Sequence, residues 1–298
     1  MPTLLVIGAL ALDRPIRLDG PLRAGGRLRA RSLDGALEAR LGGGAANAGC
    51  ALLAAGHAVL AASVLADDAD GRRARALAEA AGLDLQLTCS RAGTSARTLV
   101  LVEPTGERTI ISLDGGLPVA RPALDPPSRH PAVRPDGLFI RSAYDHAADW
   151  AQLAAGPVIL HWPAPAYVGR ADVVVASAED LPEALARDPF PAAATRFGPG
   201  LGWVVLTHGA AGAVAHGRDG ARIAAKAPPA APRDATGAGD VFAAGLLDAL
   251  TGGAAMDQAL AHACAWGAAA AGLDSSAPAD APAGTFPPWS GEALAERA

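Results

Sequence analysis

Six short, almost wholly apolar runs recur along the chain: TLLVIGALALD from residue 3, HAVLAASVLAD from 57, GLFIRSA from 137, PVILHW from 157, ADVVVAS from 171 and GWVVLTHG from 202. A strand with one wet face alternates apolar and polar residues, whereas a strand covered on both faces reads as a continuous apolar run. The runs therefore predict a central, mostly parallel sheet. Helix-compatible stretches between several of them predict helices on both faces, which is the doubly wound α/β class. The first run, residues 3–13, reads as one strand whose C-terminal end opens into a site at Asp13.

Local signals place further elements. AANAGCALLAAG suits a helix closed by Gly56, GRRARALAEAAG (71–82) an amphipathic helix ended by Gly82, and residues 238–251 a third helix. In that third helix Val241, Phe242, Gly245, Leu246 and Ala249 fall on one buried stripe. SARTLVLVEPTGERTIISLD (95–114) holds two alternating runs around Pro104-Thr105-Gly106, the signature of a β-hairpin. Residues 14–41 are arginine-rich without helical period and read as short exposed strands. Six prolines in 118–135 predict an irregular connection with no helix, and the proline-containing tail from Ala277 predicts a surface wrap.

Composition excludes several classes of partner. The chain has 298 residues, is 51% hydrophobic and carries a net charge of −5, so it can bury a sizeable core but lacks the positive field that nucleic acid or an anionic membrane requires. Cys50, Cys89 and Cys264 are odd in number and show no metal-ligand spacing, which fits a reducing compartment and predicts a cytoplasmic location. The apolar N-terminus has no Lys or Arg before it and so reads as a buried strand, not a signal peptide. Lys226 is the only lysine, so phosphate chemistry must proceed without the lysine loop and use backbone amides and arginine.

Four constellations carry chemical meaning. In RDATGAGDVFAAGLLDAL (233–250) a helix opens on Gly237-Ala238-Gly239-Asp240. Glycines there admit a ligand to unpaired amides at the positive end of a helix dipole. Asp240 either complements the dipole or acts as a general base toward a hydroxyl while those amides hold a moving phosphoryl group. In LGGGAANAG (41–49) the glycines make a tight strand-to-helix turn, or else Gly43 and Asn47, with Asp13, bind sugar hydroxyls. VVLTHGAAG, with Thr207, Gly209 and Gly212, is a plain strand turn or a nucleotide loop. Ser177 and Asp180 either cap a helix or orient hydrated Mg²⁺.

DATGAGDVFAAGLL resembles the C-terminal signature of the ribokinase-like (PfkB) carbohydrate kinases, and GGGAANAGCALLAAG resembles their N-terminal signature. The resemblance implies a single ribokinase-like domain over residues 1–298, with a small β-sheet lid from segments about 14–40 and 95–114. It implies an ATP-dependent kinase acting on a primary hydroxyl of a monosaccharide or nucleoside. By resemblance Asp240 is the base; Gly237, Ala238 and Gly239 form the anion hole; and Asp13, Gly43 and Asn47 hold the sugar. Thr207, Gly209, Gly212 and Thr236 border ATP. Asp180 relates to Mg²⁺, and Asp234, with the stretch around Ser275 and Ser276, to K⁺. A homodimer through the lid is also implied.

Three departures stand out. Ser177-Ala178-Glu179-Asp180 replaces the usual N-x-x-E, Ala66 replaces a glycine, and Gly44 stands where many members have lysine. The last makes a second substrate phosphate less expected, although Arg97, Arg108 or Arg141 would be able to hold one. Two rivals remain: a catalytically silent sugar-binding homologue, and a dinucleotide oxidoreductase, against which no G-x-G-x-x-G follows the first strand.

Overall fold

The expected first strand breaks in two. In the computed structural model, which describes residues 1–32, 39–95, 97–113, 123–164, 166–274, 277–279 and 281–291, β1 is Thr3–Ile7 and β2 is Ala11–Leu18. The chain leaves the central sheet at Gly8-Ala9-Leu10, where the Ala9 carbonyl accepts the N–H of Ala45 instead of continuing the ladder. Asp13 therefore lies on a strand of a second, smaller sheet and not at the end of the first strand. A period-two or apolar pattern cannot reveal such a break, because both halves are buried.

The chain continues through β3 (Ala30–Ser32), β4 (Arg40–Gly42), α1 (Gly44–Ala54), β5 (Ala58–Ala62), β6 (Val64–Ala66), α2 (Ala69–Ala80) and β7 (Cys89–Arg91). The hairpin is β8 (Arg97–Val102) and β9 (Arg108–Leu113), paired antiparallel as expected. Then follow β10 (Gly137–Ile140), α3 (Ala147–Leu153), β11 (Val158–His161), β12 (Val173–Ser177), α4 (Glu183–Arg187), α5 (Phe190–Phe197) and β13 (Trp203–Thr207). Two strands absent from the sequence reading, β14 (Ala213–Gly217) and β15 (Arg222–Ala225), precede α6 (Ala238–Thr251) and α7 (Met256–Ala271).

The main sheet has the order β15-β14-β13-β12-β11-β10-β1-β5. Pairings from β5 to β13 are parallel, and the two added edge strands are antiparallel. Successive strand residues point to opposite faces, so each apolar run feeds two cores. Val6, Phe139, Ile159 and Val205 pack with α1, α6 and α7, while Leu5, Leu138, Leu160 and Val204 pack with α3 and α5 around Trp150 and Phe197. A Leu-to-Ala change at such a site costs about 2–5 kcal/mol.

The small sheet has the order β3-β2-β8-β9, with β4 also on β2. Beyond residue 13 its β2 is not exposed as expected, since Pro15 and Leu18 are buried. HAVLAASVLAD likewise divides, with β6 leaving the main sheet to pair with β7. The described part of 118–135, from Ala123, contains a single bridge from Ala123 to Asp145 and a short 3₁₀ turn at Pro127–Arg129.

α6 has the predicted span but not a single buried stripe. Asp240 through Ala249 are all buried because α1 and α7 cover it on separate sides. Gly245 allows the close approach of α7, since a Cβ there would lie 2.9 Å from Trp266 Cγ. The tail is more than a surface wrap: Phe286 is buried against Trp266, and the N–H of Trp289 bonds Asp248.

Candidate active site

The tip of α6 is left uncapped by any side chain. Its N-cap, Gly237, is left-handed at φ 77°. That conformation suits glycine, because a Cβ would strain it. Gly239 is exposed, and a Cβ added there would meet nothing within 4 Å. The turn leading in is held by Asp234, buried, whose Oδ1 accepts the N–H of Thr236 at 2.8 Å.

Asp240 is buried in this first turn, and both of its oxygens are engaged. Asn47 Nδ2 donates to Oδ2 at 2.8 Å, and Arg141 Nε donates to Oδ1 at 2.7 Å. Bonds on both oxygens fix the plane of the carboxylate. Asn47 is itself buried, and its Oδ1 has no partner. An unsatisfied buried acceptor costs about 1–3 kcal/mol, a cost that a hydrogen-bond donor brought to this oxygen would relieve.

The glycine triplet serves this geometry. Gly43, the N-cap of α1, has φ 86°, and a Cβ there would lie 2.4 Å from the Ala9 carbonyl oxygen. At Gly44 a Cβ would lie 2.2 Å from Arg141 Cγ, and at Gly42 it would lie 2.1 Å from Asp13 Oδ2. One glycine thus seats Asp13, one turns the chain, and one admits Arg141. Asp13, Arg40, Val100, Asp234 and Thr236 line a narrow cleft of about 10 Å³, which joins the Asp13 strand to the turn before α6. A larger cavity of about 220 Å³, between Ala9–Leu12, Val64–Ala66 and Tyr144, is mainly apolar, with Asp70 and Ser95 also on its wall, and is lined by none of the expected site residues.

Thr207 ends β13 in register with Ser177 at the end of β12. Gly209 (φ 54°) faces open space. Gly212 (φ 103°) instead packs so closely on the Ala225 carbonyl that a Cβ would lie 2.0 Å from it. Ser177 Oγ accepts the N–H of Glu179 at 3.3 Å, the capping alternative, and Asp180 is exposed.

Sequence reasoning missed His161 and the partnership of Arg141 with Asp240. Both follow apolar runs at strand C-termini, the edge where ligands bind in wound sheets, and that position was the available signal. Burial lowers the His161 pKa to about 4, assisted by the charge of Arg141 and opposed by Asp240 and Asp180. His161 thus lies within electrostatic reach of all three.

Residues 161–281 match the model of the pfkB family carbohydrate kinases. This segment is similar to the pfkB kinases, and the fold is that of ribokinase. Ribokinase of Arabidopsis thaliana, solved with ribose and ATP, superposes with a TM-score of 0.72 at 19% identity, covering 96% of each chain. Ribokinase of Thermotoga maritima gives 0.67 at 19% identity, covering 94% of this chain and 96% of that one. A nucleoside kinase of Burkholderia thailandensis, in complex with inosine, gives 0.70 at 19% identity over 92% of each. No curated protein matches the chain. The family match begins after Asn47 and Arg141, and their hydrogen bonds to Asp240 tie the unmatched half into the same site.

Proposed function

We propose that the protein is an ATP-dependent kinase that transfers the γ-phosphoryl group to a primary hydroxyl of a sugar or nucleoside. The observation that carries this reading is the carboxylate of Asp240, held on both oxygens at the uncapped, glycine-lined tip of α6. The acceptor O–H gives its proton to Asp240 as its oxygen bonds to the γ-phosphorus. The bond to the β-phosphate oxygen breaks, and ADP leaves with that electron pair. Amides around Gly237, Ala238 and Gly239 meet the charge of the moving group. Asp13, Gly43 and Asn47 orient the acceptor, and the nucleotide lies along Thr207, Gly209 and Thr236.

The chain's residues suit a nucleotide better than a preformed metal centre. Among the described residues no cluster of three His, Cys, Asp or Glu side chains can hold a metal. Mg²⁺, which neutralises phosphate charge when bound, would be carried mainly on the phosphates and waters, with Asp180 contributing one carboxylate. A monovalent ion near Asp234 would balance that buried charge; Ser275 and Ser276 lie outside the described residues. The exposed Ile110, Ile111 and Leu113 on β9, an edge strand of the small sheet, support a homodimer formed through a lid, which the mass in solution tests.

ADP release across pentoses, ketohexoses, keto-deoxy sugar acids and nucleosides tests the reading, with Asp240→Asn as control. At least one acceptor should stimulate release, and the variant should lose on the order of 10² or more of turnover while still binding that acceptor. Full activity in Asp240→Asn removes the assigned base. If no acceptor stimulates release, the silent sugar-binding reading stands instead.

A further inference from the structure

Arg141 is seated with unusual care. Its backbone N–H donates to the Ile7 carbonyl at 2.7 Å, which sets it at the C-terminal ends of β1 and β10, beside the tip of α6. Its aliphatic stem passes between two glycines. A Cβ at Gly8 would lie 3.0 Å from Arg141 Cβ, and one at Gly44 would lie 2.2 Å from Arg141 Cγ. Two chain segments far apart in sequence are therefore bare where this side chain runs.

The guanidinium is then divided between two environments. Nε bonds Asp240, which among the described residues is its hydrogen-bond partner, yet the side chain remains 37% exposed against 11% for Asp240. An arginine that only neutralised a buried acid would turn its fork onto both carboxylate oxygens, because that bidentate geometry is the stronger one. Here Asn47 takes the second oxygen, and the Nη edge is left for another acceptor. Asn47, on the other oxygen of the same carboxylate, likewise keeps its Oδ1 without a partner. The charge of Arg141 is also felt at His161, together with those of Asp240 and Asp180.

We propose that Arg141 is a catalytic residue of this chain: Nε orients the base while the Nη edge contacts the oxygens of the γ-phosphoryl group during transfer. The proposal rests on the kinase reading above. Arg141 stays protonated throughout, and its planar fork matches phosphoryl oxygens bidentately. It stabilises negative charge on the group in flight and so adds to the amides of α6.

The test is nucleotide binding, which needs no knowledge of the acceptor. Calorimetry compares ADP with the non-hydrolysable β,γ-imido analogue of ATP for wild type, Arg141→Ala and Arg141→Lys. Wild type should prefer the analogue, and Arg141→Ala should lose roughly tenfold or more in analogue affinity with ADP affinity nearly unchanged. Arg141→Lys should recover only part of the preference. Once an acceptor is known, guanidinium ion at millimolar concentration should partly restore turnover to Arg141→Ala, and NaCl at equal ionic strength should not. An analogue preference that survives in Arg141→Ala, or that is missing from wild type while both nucleotides bind, overturns the assignment. If wild type binds neither nucleotide, the kinase reading itself fails.

Discussion

Asn47 Nδ2 donates to Asp240 Oδ2 at 2.8 Å although 193 residues separate the two. The bond joins the first turns of α1 and α6, so the two glycine-rich stretches of the sequence form one site. It also gives the amide two tasks: one end holds the carboxylate, and the other end waits, buried and unsatisfied.

Replacing Asn47 separates those tasks from simple packing. Asn47→Leu removes the unsatisfied oxygen but also takes the donor from buried Asp240 Oδ2, so unfolding free energy should fall by no more than about 1–3 kcal/mol. Turnover with the identified acceptor should still fall, by about tenfold to a hundredfold. Asn47→Asp should be worse, because two carboxylates at hydrogen-bond distance cannot both stay ionised without cost. Steady-state kinetics alongside denaturant melts check both. Wild-type activity in both variants would deny the pairing a role.

Gly239→Ala tests whether α6's tip receives an anion. The added methyl meets nothing in the protein, and alanine in place of glycine favours the helix by up to about 1 kcal/mol. Thermal stability should therefore hold or rise. The same methyl would stand where the phosphoryl group approaches, so ATP affinity should drop about tenfold or more. A stable variant with unchanged ATP affinity would place the phosphates elsewhere.

His161 reports on Arg141 without any substrate. With its pKa lowered to about 4 by burial and by Arg141, the imidazole should stay neutral across the physiological range. Its ring-proton resonance should not titrate between about pH 5 and 8, where an ordinary histidine would. In Arg141→Gln one of the lowering influences is gone while Asp240 and Asp180 remain, so the midpoint should move upward. An unmoved midpoint would mean that the guanidinium does not sit near His161.

Asp248 anchors the far end of α6. It is buried, with Oδ1 on His57 Nε2 at 2.7 Å and Oδ2 on His262 Nε2 and the Trp289 N–H at 2.8 Å each. Burial alone would raise its pKa, but the hydrogen bonds from His262, His57 and Trp289 outweigh that and hold it below the usual carboxylate value. A depressed folded value contributes stability that is present above the unfolded value of about 4 and is lost as pH falls through the folded one. Asp248→Asn should cost on the order of 1–3 kcal/mol at neutral pH. The gap to wild type should narrow below about pH 4. Chemical denaturation at several pH values checks this, and a gap independent of pH would mean that the charge does not matter.

Much of the fold was legible because its causes are local. Continuous apolar runs marked β10 to β13, Pro104-Thr105-Gly106 marked the hairpin, and α6 spans the residues 238–251 read as a helix behind the Gly-Ala-Gly-Asp turn. The short edge strands β14 and β15 escaped notice because they alternate weakly and pair only with one another and with β13. The break at Gly8 escaped because Leu10 and Leu12 are as buried as the strand before them.

The sequence by itself determined the class of sheet, the two glycine turns and the presence of an acid at a helix tip. Periodicity and backbone freedom act over a few residues and leave their mark in composition. Only the tertiary structure decided that Asn47 and Arg141 would share Asp240 between them, that Asp13 would come from the small sheet, and that Gly44 would be bare to admit an arginine 97 positions onward. Those pairings depend on how the strands wind around β1. Spacing along the chain carries no record of which strand end will face which helix tip.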